Sequence, residues 1–265
     1  MIASTFIYNC TSKKSEVNNV KLAHNGNRNY DDTDVISDRV LIKVIKLNTI
    51  RFYKELNSDN NIKDSSKFDN GNFLPKGFCI ADYAVGRLNN DTLSDLAILI
   101  TKTDLIYDYK LIVFLKNSDN TYLKSLETSH FVYGNEVHLS IGGHILYINT
   151  DNENHGSTLT ETKIRFLNND WYCVRDSLRC FDSANAWVNV VDFEKGTFKI
   201  SHEIEIGAKR YNREIKGLID KKGFLPFMKI DFNKFKYANY KGKLYGFGTY
   251  NLWTDDEIEK MIKNN

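Results

Sequence analysis

Neither a long hydrophobic run nor an imbalance of charge marks this chain. No stretch of the 265 residues approaches the roughly eighteen consecutive apolar residues of a spanning helix, so nothing crosses a bilayer as the chain is written. Lys+Arg 36 against Asp+Glu 34 leaves a formal charge of +2, which supplies no field for nucleic acid. Cysteine is sparse: Cys10, Cys79, Cys173 and Cys180 include only one loose pair, where a zinc knuckle needs two close ones. Proline occurs twice while Asn, Lys, Ile and Tyr abound, a skew that follows a low-GC genome rather than a physical demand. What is present is 42% hydrophobic and 13% aromatic content, enough to bury one substantial core or two modest ones.

The first ten residues, "MIASTFIYNC", are largely apolar and end in Cys10, and the polar, lysine-bearing "TSKKSEVNN" follows at once. This arrangement resembles the end of a bacterial lipoprotein signal peptide, with Cys10 as the lipidated residue and 1–10 as a signal remnant. The basic n-region of such a signal is absent, the apolar stretch is short, and Tyr8 and Asn9 stand where small residues are usual; a start codon assigned too late would explain the first two departures. Residues 11–36, rich in Asn, Ser and Asp without apolar periodicity, are expected to be a polar tether.

Residues 37–72 are an apolar segment followed by a linker. In "SDRVLIKVIKLNTIRFYKEL" (37–56) the basic residues Arg39, Lys43 and Lys46 fall at helical spacing, which predicts a helix, while the many β-branched residues leave a strand open. Apolar residues occupy most of its circumference, so packing on the protein's own core is expected ahead of lying on a membrane surface.

From 73 to 265 the texture is that of a β-rich domain. "KLIVFL" leads through "KNSDN" to "TYLKSL", "VHLSI" through Gly142 and Gly143 to "HILYI", "TKIRFL" through "NND" to "WYCV", and "AWVNVVDF" through "EKG" to "TFKISHEI". Asn, Asp and Gly supply the positive-φ residues that reverse a twisted strand pair, so each is read as a hairpin, and together they predict an antiparallel, mainly β fold. A two-residue Gly142–Gly143 loop would set Ile141 opposite His144 and Ser140 opposite Ile145. The chain ends on "TDDEIEKMI", where Thr254 and Glu257 stand at capping-box spacing before a short helix. "GNFLPKGFCI" (71–80) and "KGFLPFMKI" (222–230) echo one another and raise the idea of a duplicated unit.

"GRLNNDTLSDLAILI" (86–100) resembles the FG-GAP or VCBS-type β-repeat motif, a calcium loop running Gly-Asp-Leu-Asn-x-Asp-Gly-x-x-Asp-Leu into a buried strand. The pieces after it are similar, in order and character, to bacterial envelope lipoproteins that carry one degenerate calcium-loop motif. The resemblance implies a β-meander or incomplete propeller-like sheets and an envelope location, and it implies no reaction. Its ligand positions fall on Arg87, Asn89, Asp91 and Asp95. Calcium takes about six to eight oxygens, which Asn89, Asp91 and Asp95 can supply and Arg87 cannot. Thr92 replaces the glycine of the sharp bend and resists positive φ. The expectation is therefore a metal-free loop, with Arg87 near Asp91 or Asp95 in place of the cation, and no cofactor.

Other candidates read as structural. His130, His138, His144 and His155 lie in one stretch, but His138 and His144 fall on opposite faces of their hairpin and no nucleophile motif accompanies them. Asp151, Glu153 and His155 alternate in what reads as a solvated turn, and the aromatic run Tyr237, Tyr240, Tyr245, Phe247, Tyr250 and Trp253 reads as core ahead of a sugar-stacking face. Cys173 and Cys180 bracket "VRDSLR" and are a candidate disulfide, with Cys79 a buried free thiol. The functional expectation is a non-enzymatic binding or scaffold module of the envelope, periplasmic or surface-facing and lipid-anchored, whose partner is an envelope protein or glycan and not nucleic acid. The alternatives are an envelope hydrolase acting on carbohydrate or peptide through an acid pair from distant loops, and a toxin-immunity or inhibitor protein.

Overall fold

The computed structural model describes residues 38–58, 74–102, 105–119, 121–128, 136–152, 157–219, 225–227, 236–239, 244–246 and 252–264. The fold is mainly β with a helix at each end: α1 (Asp38–Ser58) and α2 (Asp255–Lys263). One sheet is a four-stranded antiparallel meander of β1 (Phe78–Gly86), β2 (Asp95–Lys102), β3 (Leu105–Lys116) and β4 (Tyr122–Glu127). The second sheet runs in sequence order through β5 (Glu136–Gly142), β6 (Ile145–Asn152), β7 (Ser157–Leu167), β8 (Asp170–Phe181), β9 (Asn185–Asp192), β10 (Thr197–Ile206) and β11 (Lys209–Ile219). It continues with β13 (Lys236–Asn239) and β14 (Leu244–Gly246), while β12 (Leu225–Pro226) pairs separately with β8.

The layers follow from strand β2. Its run "DLAILIT" is buried at every position, which a strand shows when both of its faces are covered. Leu96, Ile98 and Ile100 join Ile80, Ile112 and Phe114 on the face that meets α1. Ala97 and Leu99 join Leu111, Val113 and Leu126 on the face that meets the large sheet through Leu139, Leu146, Ile148 and Ile164. The order is thus helix, small sheet, large sheet, and the predicted helix over 37–56 does pack on the protein's own core. Phe52 of α1 is fully buried, with ring centroids 5.1 Å from Tyr83 and 5.4 Å from Tyr53.

A β-bulge explains how α1 is fixed. The register of β1 shifts between Ile80 and Asp82 and leaves Ala81 without a cross-strand partner. Asn48 Nδ2 donates to the Ala81 carbonyl at 3.2 Å and Thr49 Oγ1 to the Ile80 carbonyl at 3.1 Å, so the helix satisfies an edge strand that would otherwise invite pairing. Past the bulge, Asp82 turns toward the large sheet and accepts the Leu139 N–H at 2.6 Å. Gly86 sits against Ile141, where an added Cβ would lie 2.6 Å from Cγ2. Trp171 Nε1 donates to Ser125 Oγ at 3.0 Å and ties β8 to β4.

The four predicted hairpins are all present. Asn168 and Asn169, at φ 51° and 62°, form the two-residue turn between β7 and β8. In the β5–β6 hairpin the turn is displaced by one residue from the expected one: Gly143 and His144 take φ 59° and 62°, Gly142 pairs with Ile145, and Ile141 pairs with Leu146. The Phe-Leu-Pro echo does not mark a duplication among the described residues. Pro75 lies in the turn leading into β1, its carbonyl accepting from Phe78, whereas Leu225–Pro226 is a two-residue strand on β8. α2 has the predicted capping box, with the Thr254 side chain accepting from the Glu257 N–H.

Candidate functional site

The motif loop lies between β1 and β2, and it closes on itself through hydrogen bonds. Asp95 is fully buried; Oδ2 accepts the Leu88 N–H at 2.7 Å and Oδ1 the Lys116 N–H at 2.9 Å, which joins the loop to the end of β3. Asp91 Oδ1 accepts the Leu93 N–H at 2.8 Å, its Oδ2 accepts Asn89 Nδ2 at 2.8 Å, and Asn89 Oδ1 accepts the Asp91 N–H at 3.1 Å. Burial raises the Asp95 pKa, opposed by the N–H donors and helped by the nearby Asp91 charge.

The expected pairing of Arg87 with Asp91 or Asp95 is not formed. The Asp95 oxygens already hold two backbone donors in a site closed to solvent, and a guanidinium would have to be buried to reach them. Arg87 is solvent-exposed instead. Among the described residues Thr92 is not one of those with positive φ, so the motif's bend is altered. In this arrangement the oxygens of Asn89, Asp91 and Asp95 each accept an N–H group, and Arg87 places a positive charge where the motif has its first carboxylate. No group of three His, Cys, Asp or Glu among the described residues is placed to hold a metal.

Cys10, His130, Glu153, His155, Tyr240, Phe247 and Tyr250 lie outside the described residues, as do the side chains of Tyr237 and Tyr245. Asp151 lies at the end of β6, 3.5 Å from Ser157 Oγ. His138 is an exposed strand residue beside Glu136 and Asp82, and His144 is a turn residue, so the two share no site. The candidate bridge between Cys173 and Cys180 is not made: Cys173 is a free, buried thiol. Both residues lie on β8, and seven steps of extended chain, at about 3.3 Å each, place them far beyond the roughly 7 Å that a disulfide spans. Cys79 is a free buried thiol, as expected.

A second cluster comes from cross-strand register. On the inner face of the large sheet one row runs Thr158, Cys180, Trp187, His202, Arg213, and the next runs Thr160, Leu178, Asn189, Ile200, Ile215. Away from the half under the small sheet, this face interleaves polar side chains with apolar ones such as Leu178 and Ile200. Trp187 stacks on His202 with centroids 5.2 Å apart and planes at 22°. His202 Nδ1 accepts the Leu252 N–H at 3.3 Å, so the proton of the neutral ring resides on Nε2. Burial pulls the His202 pKa down to about 4 against the pull of Asp182, which keeps the ring neutral at pH 7.

Four polar atoms of this face are buried without a hydrogen-bond partner: Trp187 Nε1, both amide atoms of Asn189, and His202 Nε2. Three of them present N–H donors and one, Asn189 Oδ1, is an acceptor. The C-terminal segment is held beside them. Arg213, directly opposite His202, donates to the Leu252 carbonyl at 2.7 Å and to both Glu257 oxygens at 2.9 and 3.0 Å, and its guanidinium lies 3.9 Å from the Trp253 ring centroid. Arg213 and the Thr254 N–H hold the Glu257 pKa down at about 2. α2 buries none of its own residues, so these polar contacts fasten it.

One row further, Asp176 is buried with Oδ1 accepting from Thr162 Oγ1 at 2.6 Å. Burial pushes its pKa up to about 7; the Thr162 hydrogen bond opposes this and the Glu161 charge adds to it. Asp176 pairs with Val191 and His202 with Trp187. Two strands and four residues separate them, about 16 Å from strand spacings, too far for an acid–base pair. No family model, curated protein or solved structure matches the chain.

Proposed function

We propose that the protein is a non-enzymatic binding module of the bacterial cell envelope that holds a neutral, oxygen-rich ligand, a glycan, on the half of the large sheet away from the small sheet. The observation that carries this reading is the set of desolvated, unpartnered groups of Trp187, Asn189 and His202 on one face. Each such group costs about 1–3 kcal/mol relative to a satisfied one, so a cluster of them favours a ligand or ordered water that reaches it. Donors predominate, which suits hydroxyl and carbonyl oxygens. The ring of Trp187 adds an apolar surface of the kind sugars stack on.

The envelope location rests on the N-terminal apolar stretch ending in Cys10 and on the likeness of residues 86–100 to the FG-GAP and VCBS-type repeat. Two experiments test the parts separately. Calorimetric titration with soluble, uncharged N-acetylglucosamine oligosaccharides is expected to saturate in the wild type and to fail in Trp187→Phe and Asn189→Leu. No response in the wild type overturns the ligand reading. Mass spectrometry of protein from native membranes is expected to find a thioether-linked lipid on Cys10, and Cys10→Ser should leave the detergent phase. A disulfide at Cys10 overturns the anchor, since one sulfur cannot serve both bonds.

A further inference from the structure

The outward side of α1 carries three exposed large apolar residues on one element. At 100° per residue, Ile45, Asn48, Thr49 and Phe52 form the stripe that meets β1 and the small-sheet core. The opposite side presents Val44, Leu47 and Ile50 at 45%, 53% and 52% exposure, three large apolar residues in successive turns. The other exposed large hydrophobics, such as Val85, Leu123, Phe181 and Leu218, belong to four different strands. Interleaved with the stripe are the exposed Lys43, Lys46 and Lys54. Between residues 43 and 54 there is no acidic residue, and these three lysines have no ion-pair partner among the described residues.

The charge pattern selects the occupant. A helix packed as a surface layer normally mixes signs on its solvent side, yet between residues 43 and 54 the described side chains of this side are basic and apolar only. Apolar side chains flanked by lysines, on the outermost layer of the fold, match a helix lying in the plane of a bilayer, its apolar groups among the acyl chains and its ammonium groups at anionic headgroups. We propose that α1 is a membrane-docking helix that seats the protein on an anionic lipid surface through Val44, Leu47 and Ile50, with Lys43, Lys46 and Lys54 as the headgroup contacts. This is independent of the ligand reading and of any covalent anchor; where both operate, a weak interfacial helix and a lipid chain would supply the two signals that stable attachment requires.

The test uses the full chain carrying Cys10→Ser, which removes the proposed anchor. It is mixed with phosphatidylcholine vesicles with or without phosphatidylglycerol, and flotation is measured at low and high salt. Flotation is expected only with phosphatidylglycerol and should fall as salt rises. The triple variant Lys43→Gln, Lys46→Gln, Lys54→Gln should lose about a hundredfold in partitioning, at about fivefold per charge near such a surface. Leu47→Ser with Ile50→Ser should abolish flotation while leaving the melting temperature unchanged, because both side chains face solvent. Absence of flotation with anionic vesicles at low salt overturns the proposal. So does binding that survives both sets of substitutions, or a protein dimer that Leu47→Ser dissociates, which would make this face a contact between two copies of the chain.

Discussion

Replacing Asp176 by Asn should have no large effect in acid and a stabilising effect in base. Asp176 is 2% exposed, and its folded-state pKa is raised from 3.8 to about 7, first by burial. In the unfolded chain the carboxyl ionises near its ordinary value, so the fold favours the protonated form. That contribution is complete below about pH 4 and is lost as pH climbs through the folded pKa of about 7. The shift of about three units, at 1.36 kcal/mol each, sets a ceiling of about 4 kcal/mol. Asn has the same shape, keeps an oxygen to accept from Thr162, and never ionises. Asp176→Asn should therefore lie within about 1 kcal/mol of the parent near pH 4.5, and exceed it by up to about 4 kcal/mol near pH 8.

The parent's own pH profile would hide this. His202 runs the other way: its pKa falls from 6.5 to about 4, so stability is lost as pH drops through that window while Asp176 regains it. Over the same range the two slopes oppose, and only the difference between variant and parent isolates Asp176. Urea unfolding followed by tryptophan fluorescence across a pH series gives that difference by linear extrapolation. A difference that does not change with pH, or a variant that loses stability near pH 8, would refute the argument that the buried carboxyl is protonated in the fold.

Three further outcomes are expected. Asp95→Asn turns an NH2 toward the Leu88 or Lys116 N–H and should cost about 1–3 kcal/mol in urea unfolding, while melts of the unaltered protein in calcium and in chelator should coincide. Gly86→Ala drives a Cβ to 2.6 Å from Ile141 Cγ2 and should destabilise by about 1–3 kcal/mol; most of that loss should return in the double variant with Ile141→Ala, and an additive pair would place the strain elsewhere. Arg213→Ala releases the C-terminal segment, so hydrogen exchange in 255–263 should accelerate while the strand core keeps its protection; unchanged exchange there would mean that other contacts fasten α2.

How much of this could be seen in the sequence depended on whether local chemistry decided the feature. The Asn168–Asn169 turn, the capping box and α1 are local, and they are where they were expected. The displaced β5–β6 turn shows local chemistry leaving two answers. A Gly142–Gly143 loop and a Gly143–His144 loop both put Val137, Leu139, Leu146 and Ile148 on one face, so the burial pattern does not choose between them. Histidine tolerates the left-handed region well enough for the second. The Arg87 expectation failed for a non-local reason: the donor that occupies one Asp95 oxygen comes from Lys116, twenty-one residues away across the sheet.

The polar cluster shows the same limit in its sharpest form. Reading "AWVNVVDF" as a strand to Phe193 and "EKG" as the turn sets Phe193 opposite Thr197, which places Trp187 opposite Glu203 and sends His202 to the other face. The structure ends β9 at Asp192 and pairs it with Thr197 across a four-residue turn containing Gly196 at φ 66°. That single residue of slip reverses every side chain of one strand relative to the other. With it, Trp187 meets His202, Asn189 falls in the adjacent row, and Arg213 arrives opposite His202 from β11 to hold the C-terminal segment. Burial favours this register, because it sets Phe198, Ile200, His202 and Ile204 on the covered face together with Asn189 and Val191. The unpartnered groups are thus a consequence of packing the apolar residues of β9 and β10. Trp187 and Asn189 share the alternation of Val191, and a strand that buries Val191 must bring them to the same face.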